Sequence, residues 1–555
     1  MPVDSAFAPY RLAPGALPEE AARAAQDAAA EPLLVAPAEP LPAPLVNRAL
    51  AEVAAGRAAP GAEPCRAADG SVAGGAGPPR ACLSSERQRA RVAEAARAAL
   101  EAGFAGVCLD RPDAALALGL LGAGFCPECQ RDLARHLTRE YGDHFQPVDY
   151  LALARQAVAQ APGAISFGQL PFGRDFWRVR NDALVRAVRD HARDARDAAR
   201  GASRPFDVVA QFEALGPAQL RAVRHVDAAI FPEELAPGAT GIGLFRLLRG
   251  ALGRRPCAVA HAHAAGAELG RLAAVAATCG VDLSGVEPAG DRGRELARVR
   301  RLSQRLQRNL LAPAQGEPVA ECAILYSAEA DLWTGGRHRA AVERAGELLA
   351  ALHVQAPVVL RIADVPQNAS IVLADAAALA PLEAKDVERR LEAGTSVLAF
   401  GEPAAVDEVG RPGPPFLPSG GARGTKVGGG TLSVLPALFP EKRGEKPPEP
   451  ALVEKAVGAV LGRGRRAAGV AARVPLLVVL HRAGSAVLVH LVAPEGERAQ
   501  GATLFLGVNV AGGARRARFV SEDGADVRIP MNPSGYSVST VLPAFRGYAV
   551  MSLSP

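Results

Sequence analysis

Residues 103–113 read GFAGVCLDRPD, and this run decides the fold. It passes from apolar to charged at Asp110, and the turn signal Arg-Pro-Asp follows at once, as expected where a buried strand ends at a polar rim. Just upstream, residues 86–102 carry apolar side chains every three or four positions, the period of an amphipathic helix. The same helix-and-strand unit recurs on both sides. Further candidate strands are 32–36 (PLLVA), 206–211 (FDVVAQ), 226–231 (VDAAIF), 258–263 (AVAHAH) and 281–286 (VDLSGV), with helices over 178–200 and 291–309. Such alternation predicts parallel strands with helical crossovers. Residues 1–312 have the length of a (β/α)8-type barrel. Six strands are evident, and any others belong in the alanine-rich start.

After a break at 311–318 (LAPAQGEP), residues 318–440 read as a smaller, open doubly wound α/β domain. Residues 411–430 are dense in Gly and Pro and predict a loop. Residues 450–555 turn to short β-rich runs such as LLVVLH and AVLVHLV, the pattern of a small C-terminal antiparallel β-sandwich.

At 555 residues the chain exceeds any single module, since domains run to about 100–200 residues. Its net charge is +5, and arginines alternate with acids, as in DHARDARDAAR (190–200). That excludes the concentrated basic face of a nucleic-acid binder. No run approaches the ~18 apolar residues of a membrane helix. The start, MPVDSAFAPYRLAPG, lacks the basic and apolar regions of a signal peptide, so a cytoplasmic location is expected. The eight cysteines (65, 82, 108, 126, 129, 257, 279, 322) are irregularly spaced, which suits a reducing compartment. Only 5% of residues are aromatic, a poor supply of stacking platforms for sugars.

Catalytic groups of a β/α barrel sit just beyond the C-terminal ends of its strands. That rule selects Asp110, Glu213, Glu233 (with Glu234) and Glu287 as candidate catalytic carboxylates. Arg111, Gln211, His261 and His263 flank them, and Trp177 opens a long helix, so these five are candidate substrate contacts. Glycosidic bond cleavage needs one carboxylic acid to protonate the leaving oxygen and one carboxylate as nucleophile or base. Asp110 beside Arg111 reads equally as an ordinary ion pair. His261 and His263, two apart on a strand, point to one side; they suit polar lining, a pocket or a metal-dependent hydrolase, for which a third ligand is missing. Cys126-Pro-Glu-Cys129 has zinc-clasping spacing, and reduced thiols or a redox pair are the other readings. The glycines at 424–430 lack a phosphate-loop ending. Cys322 begins a strand and does not end one, and Trp333 reads as a core or interface aromatic.

Three texts together resemble the beta-galactosidase-like glycoside hydrolases: 103–113 followed by 124–142 (GFCPECQRDLARHLTREYG), 323–359 with 391–403 (LEAGTSVLAFGEP), and the closing 540–553 (TVLPAFRGYAVMSL). The resemblance implies a barrel, a glutamine-amidotransferase-like trimerisation domain and a small terminal sandwich. It further implies a galactoside-like carbohydrate as partner, a homotrimer, no required cofactor, and a structural zinc held by cysteines. Cys82 matches an upstream ligand and Cys126 and Cys129 match two more, while Gly124 stands at the remaining cysteine position; Cys108 or a nearby histidine would complete the set. The resemblance also implies glutamates after the fourth and seventh strands, the first preceded by asparagine. No Asn-Glu pair occurs in this chain, which leaves a second reading, a non-catalytic relative that binds a glycan or serves assembly.

Overall fold

The computed structural model describes residues 7–11, 31–36, 49–58, 60–142, 149–160, 170–200, 205–232, 240–253, 255, 257–260, 267–284, 316–403, 424–440, 446–462, 466–494 and 496–553. Eight strands come first: β1 (Phe7–Arg11), β2 (Glu31–Ala36), β3 (Ala49–Val53), β4 (Gly106–Asp110), β5 (Asp207–Gln211), β6 (Ala228–Pro232), β7 (Cys257–Ala260) and β8 (Asp282–Ser284). Their order in the sheet is their order in the chain. Every neighbouring pair is parallel, and β1 lies beside β8. The strands not evident in the sequence are β1 and β3. Ala49–Val53 reads ALAEV, a poor strand former, and it is extended because β2 and β4 offer it backbone partners on both sides.

Successive side chains alternate between the two faces of this sheet. Ala51, Val53, Val107, Leu109, Val208 and Ala210 join a large core with the helices Glu86–Glu101 and Gly173–Ala198. Leu50, Cys108, Val209, Ala228 and Ile230 meet on the other face as a separate small cluster. Close strand approach explains Gly106, where a Cβ would fall 2.0 Å from the Asp207 carbonyl oxygen.

A second sheet, of six strands, contains β10 (Cys322–Leu325), β11 (Val358–Val359), β12 (Ser370–Ala374), β13 (Val397–Phe400), β14 (Thr425–Val427) and β15 (Gly430–Leu435), in the order β11-β10-β12-β13-β15-β14. All its pairs are parallel except β14 with β15. The helix Pro450–Leu461, which follows the Gly/Pro-rich stretch, packs back on β15 and β13. Its apolar residues Val453, Val457 and Val460 belong to the same core as Leu398 and Leu435.

The two sheets are joined through helices. Ile242–Leu252 crosses Arg337–Ala351 so closely that a Cβ on Gly243 would lie 2.1 Å from the Glu343 carbonyl oxygen, and one on Gly346 2.8 Å from Gly243 Cα. Alongside, Arg178 pairs with Glu329 at 2.6 Å, and the Arg174 guanidinium stacks 3.1 Å above the Trp333 ring. Trp333 is thus an interface aromatic.

The last hundred residues form a four-stranded sheet, five strands of a six-stranded sheet and a two-stranded one, with antiparallel pairs throughout. Both contribute to one apolar core that includes Val478, Leu480, Leu504, Leu506 and Phe519. The short strand β9 (Glu317–Pro318) pairs with Leu477–Ala483, tying the connecting segment to this unit. Among the described residues no helix is long and apolar enough to cross a membrane.

Candidate active site and cysteine cluster

The C-terminal edge of β3, β4 and β5 gathers polar side chains on one face. In register Glu52 lies opposite Cys108, Cys108 opposite Val209, and Asp110 opposite Gln211. Leu50, Cys108 and Val209 belong to the small inward cluster. Two residues further along each strand, the pleat places Glu52, Asp110 and Gln211 on the same face. Glu52 and Asp110 are then diagonal neighbours on adjacent strands, a relation that brings Cβ atoms to about 7–8 Å. Glu52 escapes a reading of the sequence because its strand does. The only signal is an acid closing a short apolar run before Gly56.

Asp110 is 8% exposed and pairs with Arg111 at 3.4 Å. Arg111 itself has φ 45°, left-handed backbone rarely adopted by a residue with a side chain. Its amide donates to the Gln211 carbonyl at 2.8 Å, its carbonyl accepts from Ala114, and Gly56 packs against it. A Cβ at Gly56 would sit 2.0 Å from the Arg111 carbonyl oxygen. Strain held in place by neighbours on three sides is a feature of functional loops.

Glu213 lies two residues beyond β5. Its Oε1 accepts from Arg80 Nη2 at 3.4 Å, while Oε2 is buried with no hydrogen-bond partner. The loop that carries it is fixed by Asp113, which is wholly buried and accepts from the amides of Glu213 (2.8 Å) and Ala214 (3.0 Å) and from Gln219 Nε2 (2.8 Å). Burial lifts the Asp113 carboxyl to about 6, outweighing these donors and its own amide. The structure therefore sets Asp110 beside Arg111, in register with Gln211 and on one face with Glu52, and separately ties Glu213 to Arg80 and, through its amide, to Asp113. Trp177 is half-buried against the large core with the Arg180 guanidinium 5.2 Å from its ring. Glu233, Glu287, His261 and His263 lie outside the described residues.

Beside this edge, four cysteines converge. Cys65, Cys82, Cys126 and Cys129 are all buried and share a cluster with Ala115 and Ala123. Cys82 Sγ lies 3.3 Å from Cys126 Sγ and 3.6 Å from Cys129 Sγ, and the sulfurs of Cys65, Cys126 and Cys129 are within 4.8 Å of one another. Sulfurs around one tetrahedral zinc stand about 3.8 Å apart, given Zn–S bonds of about 2.3 Å. The donor set, its compactness and its burial fit such an ion, so the cluster could hold a metal. The fourth sulfur is that of Cys65. Cys108, the alternative suggested by the sequence, is instead part of the inward cluster of the parallel strands. At the position where the resemblance implies a cysteine, Gly124 donates its amide to Cys65 Sγ at 3.1 Å. Gly124 has φ +97°, and a Cβ there would meet Arg180 Cδ at 2.6 Å.

The thiols are strongly coupled. Hydrogen bonds from Cys126, Cys129 and Cys82 pull the Cys65 thiol far down, while its neighbours push Cys82 and Cys129 up. Without a cation one thiolate suppresses the next, by like-charge repulsion. The fully buried Arg180, anchored on the carbonyls of Ala115 (2.7 Å) and Gly119 (2.6 Å), adds positive charge beside Cys65. The cluster also reaches the carboxylates. Cys65 donates its amide to the Arg80 carbonyl at 3.0 Å, and Cys82 follows Arg80 by two residues, so the clasp fixes the loop from which Arg80 reaches Glu213.

No family model matches the chain, and no curated protein matches it by sequence. Solved structures do. The beta-galactosidase from Bacillus circulans sp. alkalophilus superposes with a TM-score of 0.69 at 12% identity, covering 99% of both chains. A beta-galactosidase from the Antarctic haloarchaeon Halorubrum lacusprofundi gives 0.63 at 14% identity, covering 97% of this chain and 99% of that one. The alpha-L-fucosidase isoenzyme 2 from Paenibacillus thiaminolyticus gives 0.56 at 13% identity, covering 91% and 87%. At this level of identity the likeness is one of fold, and it extends over the whole length of the beta-galactosidases.

Proposed function

We propose that this chain is a glycoside hydrolase acting on a galactoside-like bond, with its eight parallel strands closed as a (β/α)8 barrel. The observation that carries the reading is the shared inward face of Glu52 and Asp110 at the C-terminal edge of the strands, and Glu213, held by Arg80 just beyond β5, is read as the further acid of the set. Asp110 ends the fourth strand but is preceded by Leu109, whereas the resemblance implies a glutamate preceded by asparagine after that strand. One acid of this set would protonate the glycosidic oxygen, and a second would attack the anomeric carbon or activate a water. Arg80 and Arg111 would position the carboxylates and contact sugar hydroxyls. The likeness to glycoside hydrolases supports the reading by analogy only, because a fold hosts many chemistries.

A non-catalytic relative is the second reading. The sequence favours it in three features: no Asn-Glu pair occurs, aromatics are scarce, and β7 is followed by HAHAAG, without a carboxylate. Chromogenic glycosides separate the two. Wild type should turn over a galactoside, and Asp110→Asn and Glu213→Gln should each lower kcat by at least ~100-fold, the scale of a lost acid–base group. Turnover undiminished in both variants removes these residues from the chemistry. Sugar binding without turnover in wild type establishes the non-catalytic reading.

The four cysteines are read as a structural zinc site, which when loaded would hold the 54–85 loop against the helix Pro127–Tyr141 and take no part in the reaction. The middle α/β unit, with the antiparallel unit that closes the chain as a sandwich, is read as serving assembly into a trimer.

A further inference from the structure

Away from the carboxylates, near Asp207 where β5 begins, residues from all three sheet-bearing units line a cleft of ≈ 1210 Å³. Its wall includes Arg246, midway along the helix Ile242–Leu252 and only 6% exposed. Arg246 Nη1 is buried with no hydrogen-bond partner, and no ion pair among the described residues uses this side chain. The acids whose charge reaches it, Glu347 and Glu321, are engaged elsewhere. Glu347 accepts from the amides of Thr240 and Gly243, and Glu321 from those of Gln355 and Ala467.

His481 lines the same cleft, 5% exposed, with Nδ1 at 3.0 Å from the Gly316 carbonyl. Arg249 and Arg255 add positive charge. Of the four acids that line the cleft, Asp207, Asp227, Glu317 and Asp364, two are paired: Asp227 with Arg196 at 3.0 Å and Asp364 with Arg361 at 2.7 Å.

A buried guanidinium normally finds a carboxylate, because desolvating an unpaired charge is costly. Burial pulls the Arg246 guanidinium below its usual range. Among the described residues a direct counterion is therefore missing, and a ligand can supply it. The planar fork of arginine matches a phosphate bidentately, and several arginines around one cleft suit a dianion better than a single carboxylate. The volume leaves room for more than the anion.

We propose that this cleft binds a small phosphate-bearing molecule, with Arg246 as the anchor of its phosphoryl group. The site goes beyond the glycosidase reading and does not depend on it.

The test uses the full-length protein and three probes: inorganic phosphate, a hexose 6-phosphate and adenosine monophosphate, each against sodium chloride at matched ionic strength. Calorimetric titration and melting temperature are the readouts. Wild type should bind at least one probe, and Arg246→Met should weaken that binding at least tenfold. Since methionine replaces an uncompensated charge, Arg246→Met should melt at or above the wild-type temperature. Asp110→Asn should bind the probe like wild type. Equal affinity for all three identifies free phosphate as sufficient, and tighter binding of an organic phosphate identifies a metabolite; both support the site. Three outcomes overturn it: no binding beyond the chloride control, unchanged affinity in Arg246→Met, or an Arg246→Met protein that melts well below wild type or fails to fold. The last would mean that the fold already compensates the charge.

Discussion

Replacing Asp113 is the sharpest test of how the candidate site is built. Its carboxylate is wholly buried and is the acceptor for Glu213 N, Ala214 N and Gln219 Nε2. Asp113→Ala leaves those donors facing a void. Each buried donor left unsatisfied costs about 1–3 kcal/mol, and three within one network add incompletely, so about 3–5 kcal/mol of local stability should go. The loss should be local, because Asp113 bonds only the β5 end and the start of the following helix. Hydrogen exchange of peptides spanning 211–222 reads it directly. At 3 kcal/mol, and with ~1.4 kcal/mol to each factor of ten, these amides should exchange over a hundredfold faster, while those of β12 stay as they were. The pH dependence is a second arm. Burial raises the Asp113 carboxyl to about 6, above its ordinary value. Its proton is held more tightly in the fold, so its contribution is fully present below about pH 4 and is lost as pH rises through 6. Asp113→Asn carries no such proton. The stability gap between wild type and Asp113→Asn should therefore narrow by about 1–3 kcal/mol from pH 4 to 7. Unchanged protection in Asp113→Ala, or a gap that widens with pH, would refute this account.

Metal analysis of purified wild type should give one zinc per chain, and Cys65→Ser should lower zinc affinity more than tenfold and loosen the loop around Arg80, seen as faster exchange over 57–82; a Cys65→Ser protein that keeps its zinc would return the fourth ligand to another group. Gly56→Ala should destabilise by at least ~2 kcal/mol, because its Cβ meets backbone at 2.0 Å with no side chain able to yield; a melting curve matching wild type would contradict that contact. Gly243→Val should loosen the seam between the helices Ile242–Leu252 and Arg337–Ala351, so that limited proteolysis separates the first unit from the second, and resistance equal to wild type would argue against it. Light scattering on the eluting protein should give three times the 57.3 kDa chain mass if the trimer reading holds, and a monomer would end it.

Much of the architecture is legible in one dimension. Apolar runs such as GVCLD and SIVLA, separated by helices with a 3.6-residue period, leave parallel strands as the arrangement that buries both faces. The cut from apolar run to Asp110 and to Glu213 marks strand ends, and strand ends are where such a sheet displays its polar groups. Those signals are local, which is why they survive in the sequence. What resists is whatever another segment imposes. ALAEV is a strand only because β2 and β4 flank it, so Glu52 gains its place beside Asp110 from its neighbours and not from its own text.

The cysteines make the same division. Cys126-Pro-Glu-Cys129 announces two neighbouring thiols by spacing alone, since one helical turn fixes their distance. Cys65 sits 59 residues before Gly124, and nothing in that separation says that a loop returns its sulfur to the glycine's amide. Arg246 reads as one more polar residue on a helix, yet in the fold it is buried and its Nη1 has no hydrogen-bond partner among the described residues. The sequence by itself determined six of the eight parallel strands, their order and the ends at Asp110 and Glu213, because periodicity and turn chemistry act over a few residues. Only the tertiary structure decided which of those acids share a face, which thiols meet and which charges lack a counterion. Those relations depend on distances between segments that the chain sets only when it packs.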